Sequence, residues 1–363
     1  MKNSLGNNIT VTLFGESHGK GTGVVIDGLA PGIEIDEELM KTLLSIRRGE
    51  GALSTGRREA DDYSFISGVY NGRTCGTPVC ILIPNGDTKS RDYDKTRDLA
   101  RPGHADYTAW CKYHGFEDYR GGGHFSGRLT APLTAAGAIF ISALKKKGIS
   151  IGTHILKLGD IKDRPFEDPE SEIGLIGKSG FPVLDPEAGK KMRELILEAS
   201  SGGDSVGGVL ESAAVNVPAG LGEPWFDTLE SMLSHALFSI PAVKGVEFGG
   251  GFEAVTKRGS EFNDEFYVEN EKIVTRTNNN GGINGGISNG MPIIVKCAVK
   301  PTPSIFREQN TVNFKEKENA KIKIEGRHDP AVIYRAQVVC DSMIALVLCD
   351  MLTGRFGTDW LAQ

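Results

Sequence analysis

The sequence predicts an α+β fold, and three observations carry that prediction. Strand-like segments do not alternate regularly with helical ones, which argues against a doubly wound parallel sheet. Two segments, residues 129–147 and 331–352, are small and apolar along most of their length and read as buried helices. The 363 residues carry 39% hydrophobic and 24% charged side chains, the balance of a folded globular chain.

Taken in order, residues 8–14 and 22–29 read as two strands around a glycine turn. Asp36 is a good N-cap, Glu37 and Glu38 suit the positive end of a helix, and Leu39, Met40, Leu43, Leu44 and Ile46 give it one apolar face. That helix runs into Arg47 and Arg48 and stops at Gly49. Residues 49–61 form a loop, strands follow at 62–70 and 78–84, and 85–128 is a long stretch without periodicity. Long structureless stretches inside a fold are usually functional. Residues 160–184 are acidic and proline-bearing, a surface excursion. A helix over 186–200 ends in GGDSVGG, and strands recur near 207–217, 245–256, 265–277, 291–300 and 320–325, with a helix at 225–238. GVYNGRTCGTPVCILIP (68–84) and GGINGGISNGMPIIVKC (281–297) both run from Asn-Gly through glycine into Pro and a strand, which hints at an internal duplication.

Glycine is the compositional outlier, 47 residues without a three-residue period. Five glycine-rich stretches each carry histidine, arginine or asparagines: GESHGKGTG (15–23), RPGHADYT (101–108), DYRGGGHFSGR (118–128), NNNGGINGGISNG (278–290) and GRHDPAV (326–332). Glycine lets backbone amides approach a ligand, arginine offers a fixed fork of donors to phosphate or carboxylate, and histidine moves protons near neutral pH. Together they read as one anion site with acid–base chemistry. RPGHADYT suits a phosphate leaving group, which Arg101 neutralises and His104 protonates. In DYRGGGHFSGR, Arg120 and Arg128 bracket three glycines before a helix, the makings of a phosphate cradle. KPTPS (300–304) is another anion contact. Asp329 reads equally well as an N-cap with Pro330 at N1.

The formal charge of −6 argues against bulk nucleic-acid binding. Six scattered cysteines without a C-x-x-C pair, and no H-E-x-x-H, indicate neither a metal site nor a dithiol motif. No apolar signal or spanning segment is evident, so the expectation is a cytoplasmic chain with reduced thiols and no membrane partner.

In order and spacing, FGESHG, VIDGLAPG, TGRRE, RPGHADYT, DYRGGG, GGDSVGG, VPAGLGEP, SIPAVKGVEFG, KPTPSI and GRHDP resemble the chorismate synthase family, from about Ile9 to about Leu352. The resemblance implies one domain over 1–363, a β-α-β sandwich of long central helices between antiparallel sheets, and a homotetramer. It implies the anti-1,4 elimination of phosphate from 5-enolpyruvylshikimate 3-phosphate to give chorismate, with reduced FMN. NADPH or a separate flavin reductase would supply the reduction. By the same resemblance His18, His104 and Asp329 are catalytic, and Arg48, Arg101, Arg128 and Arg335 clamp the substrate. Flavin contacts carry over to Ser17, His124, Phe125, Ser126, Pro241, Ala242, Gly282, Gly286, Lys300, Pro301, Thr302, Pro303, Ser304 and Arg327. After Gly123 many members read Arg-Ser-Ser-Ala-Arg-Glu-Thr, where this chain has His124, Phe125, Ser126, Gly127, Arg128, Leu129 and Thr130.

Overall fold

A computed structural model describes residues 2–49, 53–54, 59–86, 96–178, 180–324 and 329–363. Two five-stranded antiparallel sheets enclose a layer of helices. The first has the order 4–5, 10–15, 21–27, 79–84, 64–67, and the second the order 243–248, 293–299, 208–215, 150–158, 161–162. The helix Thr130–Lys146 packs on the first sheet, the helix Ile333–Phe356 packs on the second, and the two pack on each other. This is the expected sandwich.

The central contact follows from composition. Along Thr130–Lys146 the chain is rich in alanine, and Gly137 lies where a Cβ would overlap Ser342 of the C-terminal helix. The glycine therefore sets how closely the two helices cross. The C-terminal helix is long and apolar enough to cross a membrane, yet 94% of that window is buried among its neighbours. Its buried carboxylate Asp350 accepts the backbone N–H groups of Asn7, Asn8 and Ile9 at 2.9, 2.6 and 2.9 Å. The first sheet is thereby anchored to the last helix, and one apolar core runs through all layers.

The hint of duplication becomes an architecture. The first half runs strand 10–15, strand 21–27, helix 37–48, strand 64–67, a small hairpin 69–74, strand 79–84, then helix 130–146. The second half repeats the order with strands 150–158 and 208–215, helix 229–238, strand 243–248, a small hairpin 283–288, strand 293–299 and helix 333–356. Strand order within the two sheets corresponds as well. The two similar segments, 68–84 and 281–297, are the matching hairpin and strand of each half.

Most elements fall where the sequence places them. The helix Glu37–Arg48 is capped by the Asp36 side chain on Leu39 N–H at 2.9 Å and ends at Gly49. Four expectations are corrected. The helix expected from 225 begins at Leu229, because Trp225 and Asp227 adopt φ of +74° and +58°. The strand expected to reach 256 ends at Phe248, where Gly249 and Gly251 turn the chain at φ of +52° and +48°. Residues 265–277 form a hairpin, 266–269 with 272–275. The long stretch 85–128 contains a helix, Asp106–Tyr113.

Candidate active site

Each half sends one long connection from its sheet into its central helix, and the site motifs ride on these two connections. The first, 85–129, carries RPGHAD and the triple glycine. The second, 300–332, carries KPTPS and Asp329.

The GESHG turn is sewn to the triple glycine. Ser17 N–H donates to the Gly123 carbonyl at 3.1 Å, and the fully buried Ser17 hydroxyl lies 3.0 Å from His18 Nδ1 and 3.2 Å from the Gly121 carbonyl. His124 Nδ1 lies 2.8 Å from the Gly15 carbonyl. Gly121, Gly122 and Gly123 all have positive φ, at +59°, +83° and +51°. A Cβ on Gly121 would overlap the His18 ring, and one on Gly122 would stand 3.0 Å from His104 Cε1 and 3.2 Å from Nε2. The bare turn thus lies between two imidazoles that are distant in sequence, and only glycine leaves room for both.

On the other side, Arg101 and His104 converge on Asp106. Arg101 Nη2 donates to Asp106 Oδ1 at 2.6 Å and Nε to Oδ2 at 2.8 Å, while His104 Nδ1 lies 2.8 Å from Oδ1. Burial pushes the Asp106 carboxyl up, but the hydrogen bonds from Arg101 and His104 outweigh it and hold it well below the usual carboxylate range.

The RPGHAD loop and the residues just after the triple glycine wall a cavity of about 780 Å³, and Ser17, His18 and Asp329 lie outside its lining. It is within the size of small-molecule and cofactor pockets. His104, His124, Phe125 and Ser126 line it from the first half. Pro241, Ala242, Lys300, Thr302, Pro303 and Ser304 line it from the second. Lys2, Lys244 and His235 join them, and no carboxylate stands among the described residues of the wall. Lys300 has its pKa lowered, first by burial and then by the charge of Lys244. The Thr302 hydroxyl is buried without a hydrogen-bond partner among the described residues. Ala242 has φ of +75°, a conformation uncommon for non-glycine residues. A cavity of this charge, with an unpartnered hydroxyl in its wall, suits a phosphorylated ligand.

Comparison with known proteins settles the family. The chorismate synthase family model matches residues 9–353. A chorismate synthase of Thermococcus gammatolerans is 47% identical over 96% of both chains, and one of Dehalococcoides mccartyi is 46% identical over 97% of this chain and 96% of that one. A solved structure titled as the crystal structure of chorismate synthase superposes with a TM-score of 0.77 at 31% identity, covering 98% of this chain and 94% of that one.

The chain belongs to the chorismate synthase family.

Its activity is that family's phosphate-eliminating lyase reaction in the shikimate pathway, from 5-enolpyruvylshikimate 3-phosphate to chorismate. Among family members' motifs, the arginines stand differently from the clamp that the sequence suggests. Arg101 is bound to Asp106. The buried Arg128 is paired with Asp61 and donates to Asn85 Oδ1 at 3.1 Å and the Pro84 carbonyl at 3.2 Å, so all three of its nitrogens are engaged. Arg335 donates to Asp329 Oδ2 at 2.6 Å and to the Arg47 carbonyl at 2.8 Å. Arg48 donates to the Ala60 carbonyl at 3.0 Å. These arginines hold loops and carboxylates in place, and among the described residues the cavity wall carries lysines and histidines but no arginine.

Asp329 is buried, with Oδ2 held by Arg335 and Oδ1 without a partner among the described residues. Gly282 and Gly286 lie outside the cavity wall. A Cβ on Gly282 would meet the Pro292 carbonyl at 2.5 Å, and one on Gly286 would overlap the Glu223 carbonyl, so both serve tight backbone packing. Pro301 is also absent from the wall, between Lys300 and Thr302 that line it. Arg327 lies outside the described residues. Lys2, Lys244 and His235 were not legible as site residues, since each is a lone cation without a motif of its own.

Proposed function

We propose that this chain works with reduced FMN held in the cavity of about 780 Å³, and that the cavity's cationic wall is the observation that carries this reading. When bound there, reduced FMN would lend electron density to the substrate with no net redox change. Lys300, Lys244, Thr302 and Ser304 provide charge and hydroxyl donors for a phosphate. Phe125, Pro241 and Ala242 offer apolar or backbone surface to a ring system. His104 protonates the departing phosphate of the substrate, and His18 is the second acid–base group, beside the triple-glycine turn. Asp329, whose buried Oδ1 has no partner among the described residues, assists proton movement. The chain then eliminates phosphate from C3 and a hydrogen from C6.

The same reading takes the active form as a cytoplasmic homotetramer. Trp225, Phe226, Phe252 and Val255 are 87%, 89%, 81% and 84% exposed in the single chain, which favours burial between copies. The six cysteines are all free, as a reducing compartment requires.

Titration of FMN against riboflavin tests the cofactor assignment without turnover. Lys300→Gln is expected to weaken FMN at least ~10-fold, the scale of a lost charged hydrogen bond, and to leave riboflavin unchanged. Equal loss for both flavins, or none for either, would remove Lys300 from the phosphate. Anaerobic NADPH oxidation in the presence of FMN decides whether the chain reduces its own flavin or depends on a reductase.

A further inference from the structure

Resting on the reading of His104 as an acid–base group, we propose that Asp106 is the positioning residue that fixes which nitrogen of His104 exchanges protons, and that Arg101 holds Asp106 in that role. The geometry is specific. Asp106 Oδ1 lies 2.8 Å from His104 Nδ1 and accepts Arg101 Nη2 at 2.6 Å. Asp106 Oδ2 accepts Arg101 Nε at 2.8 Å and the Arg101 backbone N–H at 3.0 Å. The three side chains are 17%, 18% and 11% exposed for Asp106, His104 and Arg101. The pair is therefore shielded but not sealed.

A carboxylate held anionic can only accept, so the hydrogen between it and His104 must sit on Nδ1. Arg101 Nη2 also lies 3.1 Å from Nδ1, but two donors cannot bond to each other, so its hydrogen goes to Oδ1. Nε2 is then the nitrogen left to give or take a proton. It lies toward Gly122, which has no side chain to cover it. Arg97, Glu117 and Asp118 line a small cavity with the Arg101, His104 and Asp106 cluster, and Lys300 shares the main cavity wall with His104.

Arg101 also explains why Asp106 does not take the proton itself. Three donors from one arginine keep the carboxylate charged, so a proton arriving at His104 stays on the imidazole. The arrangement has the logic of a carboxylate-oriented imidazole, in which the acid orients and stabilises but is not protonated.

The test is anaerobic chorismate formation with photoreduced FMN, measured as kcat and KM across pH for the wild type, Asp106→Asn, His104→Ala and the double variant. Asp106→Asn is expected to lower kcat at least ~10-fold with little change in KM, since orientation of a base acts on the transition state. The alkaline limb of kcat should move to lower pH, because the imidazolium loses its counter-charge. In the His104→Ala background, Asp106→Asn should add no further loss. Wild-type kcat and limb in Asp106→Asn, or a full additive loss without His104, would overturn the assignment. If His104→Ala itself turns over normally, the acid–base reading fails instead, which separates the two claims. Asp106 also opens the helix Asp106–Tyr113. The His104 tautomer in the wild type, read by nitrogen NMR, therefore provides a measurement independent of any variant's folding. A hydrogen on Nδ1 supports the proposal, and one on Nε2 in the neutral form overturns it.

Discussion

The two halves of the chain share a scaffold and differ in what they hang on it. In the first half, strands 10–15 and 21–27 are joined by the short GESHGK turn, which brings Ser17 and His18 to the site. In the second, strands 150–158 and 208–215 are joined by residues 159–207, a long excursion with its own helix. There the histidine is structural. His154 is fully buried, with Nδ1 3.0 Å from Asp163 and Nε2 3.0 Å from Glu211. Asp163 in turn accepts the N–H groups of Leu184 and Asp185 at 2.7 and 2.9 Å, fastening the excursion to the sheet. His104 in the first half has one nitrogen held by a carboxylate and the other open to a cavity. His154 has both nitrogens closed. The difference is that His104 keeps one ring nitrogen toward a cavity and His154 keeps neither.

The comparison breaks most visibly at His154. His154→Ala leaves Asp163 and Glu211 buried without their partner and should destabilise the fold by about 3–5 kcal/mol in urea unfolding. The kcat of the molecules that remain folded should be unaltered. A large loss of kcat at full stability would make His154 functional and undo the contrast.

The glycine turns sharpen it next. Gly121→Ala forces a methyl into His18 at φ +59° and should reduce kcat at least ~10-fold, the smaller end of misplaced acid–base groups. Gly285 in the second half has φ of +62° with nothing within reach of a Cβ. Gly285→Ala should cost only the left-handed strain, about 1 kcal/mol of stability, with kcat unchanged. Equal effects on turnover from both would deny the triple-glycine turn its special place.

The smallest expected effect is in pH. Burial pushes the pKa of His154 down, but its hydrogen bonds to Asp163 and Glu211 outweigh burial and raise it above the ordinary value of 6.5. A group with a raised folded pKa contributes stability that is fully present below its unfolded pKa and lost as pH rises through the folded one. The Tm should therefore fall as pH rises above about 6.5, and that component should vanish in His154→Gln. An unchanged slope in the variant would place the pH dependence elsewhere.

Much of this was legible in the sequence, for physical reasons. Asp36, the acidic first turn and Gly49 announce one helix, and the apolar runs at 129–147 and 331–352 announce the central pair, because capping and burial are local signals. The glycine–histidine motifs announced the site loops. What was not legible depends on partners far apart in the chain. Arg128 looks free until Asp61, which lies 67 residues away, is seen against it. His154 shows no motif at all, since Asp163 and Glu211 reach it only through the fold. The helix Asp106–Tyr113 escaped because it is short and its only buried residue is Ala109, which leaves no apolar stripe to read.

The central claim is that His18 and His104, on two loops of the first half, act together as acid–base groups beside the triple-glycine turn. Anaerobic chorismate formation with photoreduced FMN tests it most directly, in the wild type, His18→Ala and His104→Ala at matched folded concentration. The wild type should turn over, and each variant should be slower by at least ~100-fold, the scale of a lost general acid or base. No product from the wild type, or wild-type rates in either variant, would contradict it.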